Sequence, residues 1–403
     1  MWKLAFRNVL RHKTRTGMTL LAIIAGVVGL ILSGGFVHDI FTQLGEVLIH
    51  SQSGHLQATL PGYFERGTRN PEKFLIKDAP HLRKEITKVV GVEDVMGRLY
   101  FAGLLNNGRT DLPIIGEGIE PASEARLGSR MTISSGRMLE ERDDFGMLLG
   151  QDLARALKIG PGDWVNLVTN TPEGALNNLE FQVIGTFQTF SKDYDARAVR
   201  IPLSAAQELL ATPGINTLVV SLRDTSQTQR IADILSRQLQ PNGLALHTWL
   251  QLNDFYTKTV QMYDAQFSVL RLIILLMVLL SVANSVNMSV FERVGEFGTM
   301  MALGNRSGTI FKLILMENSL IGIAGSILGL LLGMILATVI SAIGIPMPPP
   351  PNADLTYIAH IQIVPTVVVS ALVVGFIATV LAALVPAFRV CRIPVVDALR
   401  QSI

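Results

Sequence analysis

The residues whose types and spacing could do chemistry concentrate in one short stretch, Glu292-Arg293-Val294-Gly295-Glu296-Phe297-Gly298-Thr299-Met300-Met301-Ala302-Leu303-Gly304-Asn305-Arg306. It is amphipathic: two carboxylates and the guanidinium of Arg293 are interleaved with Phe297, Met300 and Met301, and a second guanidinium, Arg306, closes it. A short helix offering acids and exposed hydrophobes to a protein partner fits this pattern. The plainer reading is an interfacial helix docked on lipid headgroups. Such a helix carries basic residues on its polar face, whereas this one carries acids.

Elsewhere the patterns that make or break bonds are missing. A phosphate-cradling loop needs Gly-Lys before Ser or Thr, and the chain holds no Gly-Lys dipeptide, so it cannot bind ATP in that manner by itself. His50 and His55 lie five residues apart, a poor spacing for two metal ligands on one helix face, and read as ordinary polar residues. No G-x-S-x-G elbow occurs. Asp143-Asp144 and Asp193 with Asp195 could hold a cation or move a proton, but carboxylates so placed in loops are ordinarily solvated. Arg271, Asn284, Asn287 and Glu317 fall inside apolar runs, where polar groups are costly. Arg271 and Glu317 sit toward opposite ends of their runs, which argues against a shared ion site. The sequence therefore implies no catalytic residue, metal or cofactor in this chain, and an enzyme is the least supported class.

The elements that must position these residues follow from hydropathy. With 49% hydrophobic and 16% charged residues and a mean hydropathy of +0.40, the chain is too apolar for an ordinary soluble protein. A hydrocarbon core of ~30 Å needs roughly 20 apolar helical residues. Four windows qualify: Met18 to Val37, Phe267 to Val290, Ile310 to Ile343 and Ile363 to Phe388. Lys3, Arg7, Arg11, Lys13 and Arg15 precede the first, Arg293 and Arg306 separate the second and third, and Arg389, Arg392 and Arg400 follow the fourth. The loop 344–362 has no Lys or Arg, so both termini are expected in the cytoplasm. The first run also resembles a cleaved signal peptide, although no A-x-A-like site follows Leu32.

The expected layout is a membrane protein with four transmembrane α-helices and a large α+β extracytoplasmic domain. A leading amphipathic helix (1–17) and a first transmembrane helix (18–37) precede the outer domain (38–262); helices at 263–290, 309–343 and 363–388, a cytoplasmic helix (291–308), an outer loop (344–362) and a tail (389–403) complete it. The 38–262 segment holds 22 Lys and Arg against 26 Asp and Glu, which argues against nucleic acid. The single cysteine, Cys391, falls in the tail, so the outer domain folds without a disulfide.

Strands are expected at Trp164 to Val168, Phe181 to Gly185 and Thr217 to Leu222, and helices at Pro80 to Val89, Gln151 to Leu157, Ser204 to Leu210 and Thr225 to Leu239. The last would place Ile231, Ile234, Leu235 and Leu239 on one face. Apolar stripes at Phe36, Ile40, Leu44, Val47 and Leu48, and at Leu252, Phe255, Val260 and Tyr263, are either stalks continuing the spans or surface helices of the domain. Ala25, Gly29 and Ser33, and likewise Gly325, Gly329 and Gly333, repeat every four residues and predict tight helix packing. Pro346 to Pro351 predicts a stiff extended loop.

Three motifs carry a resemblance. Ala5 to Arg15 looks like an amphipathic leading helix; Glu292-Arg293, Glu296, Gly298, Ala302-Leu303-Gly304 and Arg306, followed by Phe311 and Glu317, resemble E-R-x-x-E-[IF]-G-x-x-x-A-L-G-A-x-R; and Pro386 to Arg400 resembles P-A-x-R-x-x-R-x-x-P-V-x-A-L-R. They are those of the MacB, FtsX and LolC/LolE superfamily of ABC transporter permeases, with Asn305 in place of Ala. The resemblance implies a bacterial inner-membrane permease paired with a second, like or unlike, and served by a separate cytoplasmic ATPase dimer that binds ATP and Mg. It implies contact with that ATPase through Glu292, Arg293, Glu296, Phe297, Gly298, Met301, Ala302, Gly304 and Arg306, and transmission of motion to the outer domain without transport through the bilayer. In the outer domain Ser135 to Met138, Leu148 to Leu157, Gly160 to Trp164, Phe181 to Phe187 and Arg200 to Gln207 look like the lipoprotein-releasing branch, which implies a lipid or lipoprotein cargo and a periplasmic acceptor. Thr169 to Glu180 is shorter than the carrier-hooking loop of LolC-like members. Efflux of peptides or drugs and signalling without transport are the other activities known in the superfamily.

Overall fold

The computed structural model describes residues 2–11, 13–67, 71–127, 131–189, 191–348, 357–395 and 398. The chain forms two compact units: Met1–Thr42, Thr259–Met347 and Ile358–Ile403, and Gln43–Lys258 with Pro348–Tyr357.

Among the described residues four helices are long and apolar enough to cross a membrane, each lying mainly in the first unit. Span one runs Lys13–Leu48 and span two Asp254–Glu292, unbroken helices of 36 and 39 residues. At 1.5 Å per residue they measure roughly 54 and 58 Å, well beyond a hydrocarbon core of ~30 Å. The stripe after Gly35 and, from Phe255 onward, the stripe before the second apolar run are therefore continuations of the spans, whereas Leu252 ends a separate short helix, Trp249–Leu252. The leading helix is shorter than its sequence pattern predicts, Trp2–Arg11, and span one already begins at Lys13. Span three is Ser307–Ile343 and span four Pro365–Val390. Pro365 occupies the first helical position, where its missing N–H is no loss. Ile345–Met347 is extended, while Pro349, Pro350 and Pro351 lie outside the described residues.

Branched side chains of span one fill the glycine seam of span three. A Cβ on Gly325, Gly329 or Gly333 would lie 3.0, 2.9 or 3.0 Å from Ile23, Val27 or Ile31, so this pairing is made within one chain. Ala25, Gly29 and Ser33 do not form span one's seam: Ala25 is exposed, and the nearest neighbour to a Cβ on Gly29 is Ile274 at 3.9 Å. Close approaches occur instead at Gly26, against Val278, and at Gly34, against Val367. The two four-residue stripes are neighbours, about 100° apart around the helix, and packing selects the second.

The large unit is built on one ten-stranded mixed sheet. Its strands are β1 (Leu56–Thr59), β2 (Val92–Asn106), β3 (Asp111–Ile119), β4 (Thr132–Gly136), β5 (Gly146–Gly150), β6 (Trp164–Asn170), β7 (Leu176–Gln188), β8 (Ala198–Pro202), β9 (Thr217–Leu222) and β10 (Ala245–Thr248). The order is β10-β1-β9-β2-β3-β8-β5-β7-β4, with β6 paired to β2 and β7. The long β2 is the joint, its first half pairing β9 and its second half β3. Helices Gln151–Leu157 and Leu203–Leu209 cover one core around Leu99, Phe101, Leu149 and Val199. Helices Ala79–Thr87 and Thr228–Leu239 cover another around Leu56, Val95 and Leu218. Ile231, Leu235 and Leu239 point into it as the helical period predicts, but Ile234 is 43% exposed.

A charged hub lies inside this unit. Arg98 and Arg200 are fully buried, beside the buried carboxylates Glu117 and Glu124. Arg98 pairs with Glu124; Arg200 donates from Nε to Glu117 at 3.0 Å, and Tyr194 donates its hydroxyl to Glu117 at 2.6 Å. Burial pushes the Tyr194 hydroxyl well above its ordinary pKa, keeping it a donor. Arg200 also donates to the carbonyl of Ser51 at 3.0 Å, in the π-helical turn Ile49–Ser53 that follows span one. Every partner is satisfied from a different element, so the hub fixes the register of β2, β3 and β8 against that turn.

His55 is buried next to it in sequence. Its Nδ1 accepts from the Leu222 amide at 3.1 Å and its Nε2 lies 3.0 Å from Thr225 Oγ1. Burial lowers its pKa to about 4, so it is neutral near pH 7. Below pH ~6.5 the unfolded chain takes up a proton that the folded chain refuses until pH ~4, and stability falls across that window by about 3 kcal/mol. Urea titrations of the detergent-purified protein at pH 7.5 and 4.5 should show this loss. A His55→Gln variant should show a shallower pH dependence; an equal slope would place the titration elsewhere.

Candidate functional site

The polar stretch between spans two and three folds as a helix, Val294–Ala302, bounded by two breaks in helical geometry. At its start Arg293 leaves the helical region (φ −107°, ψ 11°). At its end Gly304 takes φ +93°, its amide donates to Met301 O at 2.9 Å, and the Asn305 amide donates to Met300 O at 3.0 Å. This double closure is a Schellman motif, and a side chain at Gly304 would strain it. Asn305 adds a bond of its own, from Nδ2 to Met300 O at 3.1 Å.

Arg293 then turns inward. Its guanidinium clasps Glu317 of span three with two bonds, 2.7 and 3.2 Å, donates from Nε to Glu296 at 3.1 Å, and lies 5.0 Å from the ring centre of Phe297. Asn8 of the leading helix donates to Glu317 at 2.6 Å, and Arg11 reaches Glu296 at 3.6 Å. Glu317 thus gathers the leading helix, the connecting helix and span three onto one carboxylate. Burial opposes the charge of Arg293, but Glu317 and Glu296 outweigh it and hold its pKa above the ordinary value. Beside the clasp lies a polar cavity of about 40 Å³ whose lining includes Thr16, Ser285, Ser289 and Asn318, large enough for water.

The sequence-based contact set divides accordingly. Glu292, Glu296, Ala302, Gly304 and Arg306 are exposed and Met301 is half-buried. Arg293, Phe297 and Gly298 are buried, and Phe297 at 1% exposure is no surface hydrophobe. The apolar stripe of the connecting helix faces the spans, because each residue left exposed there would forgo burial. Leu303, 80% exposed just past the stripe, was missed by periodicity.

The other candidates are not brought together into one site among the described residues. Arg271 and Asn284 are exposed, and Glu317 takes Arg293 as its partner. Asp143 is held by Arg137 at 2.6 Å, and buried Asp195 accepts from the amide and hydroxyl of Thr189. The His50 and His55 rings meet edge to face, their centres 5.7 Å apart. No cluster of three metal-ligating side chains occurs among the described residues.

Comparison with known proteins agrees with this architecture. Residues 16–238 match the family model of the MacB-like periplasmic core domain, and residues 268–395 that of the FtsX-like permease C-terminal region. Similar proteins include an ABC transporter permease of Methanocaldococcus jannaschii, 22% identical with 84% of each chain covered. The lipoprotein-releasing system transmembrane protein LolC of Xylella fastidiosa is 25% identical over 74% of this chain and 75% of its own. The macrolide export ATP-binding/permease protein MacB of Bdellovibrio bacteriovorus is 22% identical over 84% of this chain and 54% of its own.

Proposed function

This chain belongs to the MacB/FtsX/LolC–LolE superfamily of ABC transporter permeases, and from that premise we propose that it couples a cytoplasmic ATPase to a periplasmic domain that mobilises lipoproteins or lipids. The observation that carries the coupling is the clasp at Glu317, which makes the connecting helix move as one body with span three. Force applied to exposed Glu292, Glu296 and Leu303 passes into the bundle through that carboxylate, and spans one and two are continuous helices able to carry it. Similarity to LolC supports an amphiphilic cargo. The β6–β7 connection is only a tight turn, closed by Thr171 and Ala175 at 2.8 Å, so cargo is handed on by another surface of the domain or by the second permease.

Purification of the intact complex from its native membrane in mild detergent, with mass spectrometry of proteins and lipidated species together, tests this reading. An ATPase with lipidated cargo supports it, whereas an ATPase with a periplasmic adaptor and no lipidated species favours efflux. In the same assay Glu296→Lys should reduce ATPase recovery about tenfold or more, the cost of one reversed charge at an interface. Undiminished recovery would remove the connecting helix from the interface.

A further inference from the structure

A second feature at the basic end of the bundle lies outside this coupling machinery. The last turn of span four and the first of span three enclose an open groove of about 490 Å³, lined by Phe311, Leu384, Val385, Phe388, Arg389 and Arg392. Its walls are apolar and its rim is cationic. Leu384, Val385 and Phe388 are exposed by 36, 66 and 54%, on a helix long and apolar enough to cross a membrane. The Arg392 guanidinium lies 4.5 Å from the Phe388 ring centre, so the charge is held over the apolar wall instead of extending into water. Cys391 donates from Sγ to Ser307 O at 3.2 Å, drawing this segment against the start of span three. There the first-turn amides have no side-chain cap, and Lys312 and Arg306 are exposed.

Arg11 and Arg293 of this unit are paired with carboxylates, whereas among the described residues Arg389 and Arg392 have no carboxylate partner. Two unpaired guanidinium groups above an apolar cleft, next to an uncapped helix N-terminus, call for an anion attached to an apolar tail.

We propose that this groove binds one anionic phospholipid, its phosphate on Arg389 and Arg392 and an acyl chain along Phe311, Leu384, Val385 and Phe388. A lipid held there braces span four against span three at the end where the connecting helix acts.

Native mass spectrometry of the full-length protein in mild detergent tests this, with phosphatidylglycerol and phosphatidylcholine of identical chains supplied in equal amounts. The wild type should retain phosphatidylglycerol selectively. Arg389→Gln with Arg392→Gln should lower that retention roughly 25-fold, since each basic residue at an anionic surface contributes about fivefold. Arg389→Lys with Arg392→Lys should keep most of it, and Phe388→Ala should weaken it without altering charge, so the assignment survives a poorly folding Gln variant. Millimolar inorganic phosphate should not displace the lipid. Equal retention of both lipids by the wild type, unchanged retention in the Gln variant, or displacement by phosphate alone would overturn the proposal. So would loss of ATPase recovery in the Gln variant with lipid retention intact, which would assign these arginines to a protein partner.

Discussion

Replacing Glu317 with alanine is expected to destabilise the membrane unit by about 3–5 kcal/mol, the cost of breaking a buried ion pair from one side. The substitution leaves the Arg293 guanidinium at 6% exposure with only Glu296 beside it, and leaves Asn8 without its acceptor. Removing both charges should do much less harm: Arg293→Met with Glu317→Leu replaces the pair by apolar volume, and such exchanges are often neutral. The double variant should therefore be more stable than either single one, which requires a coupling energy larger than the cost of a single substitution, about 3–5 kcal/mol or more. Thermal unfolding in detergent reads the stability, and ATP turnover by the co-purified complex reads transmission. If Glu317 is a clasp, the double variant regains stability while turnover stays uncoupled from the permease. A Glu317→Ala protein as stable as wild type would show that the bundle does not depend on the pair.

The second large effect is expected at the hub of the other unit. Arg200→Ala removes the partner of Glu117 and the donor to Ser51 O, leaving a buried carboxylate held only by Tyr194. A loss of about 3–5 kcal/mol should follow, with the turn Ile49–Ser53 becoming open to proteolysis before the sheet unfolds. Arg200→Lys should not restore it. One ammonium group cannot reproduce a fork that reaches a carboxylate and a carbonyl at once. Denaturant titration combined with limited proteolysis separates these outcomes, and unchanged cleavage near Ser51 in Arg200→Ala would mean that the turn is held by something else.

Much of the architecture was legible because one term dominates it. Hydrocarbon demands long apolar helices, so four spans and the segment between them could be read from hydropathy, and the motif at Glu292 to Arg306 located the connecting helix. In the large unit, Gln151–Leu157 and Thr217–Leu222 appear with the bounds their patterns predict, since short buried elements flanked by turns leave little choice. What was not legible depends on which polar residues register brings together. Arg98, Glu117, Glu124 and Arg200 look in sequence like ordinary surface charges, and only the pairing of β2 with β3 and β3 with β8 makes them neighbours. In sequence Glu317 and Arg271 stand out together because both lie in apolar runs. Its partner is Arg293, in the polar connector, where a charge raises no question by itself. Phe297 shows the same limit, because an amphipathic pattern reveals that a helix has two faces without saying which of them looks inward.

The pairing of β1 with β10 has a consequence for how such a protein can change over time. Leu56 stands opposite Thr248 and Thr59 opposite Ala245, so the chain between them departs from and returns to two hydrogen-bonded neighbours only about 5 Å apart. Everything from residue 60 to residue 244 is an excursion whose two ends meet there, tied to the segment before it by Arg200 on Ser51 O, by Thr225 on Glu46 and by the pairing of β1 with β9. Such an arrangement makes the excursion a cassette that can be exchanged as long as those ties are kept. A lineage can recombine it, lengthen its hairpins or refit its surface for another load while the machinery at the other end of the helices is inherited unchanged.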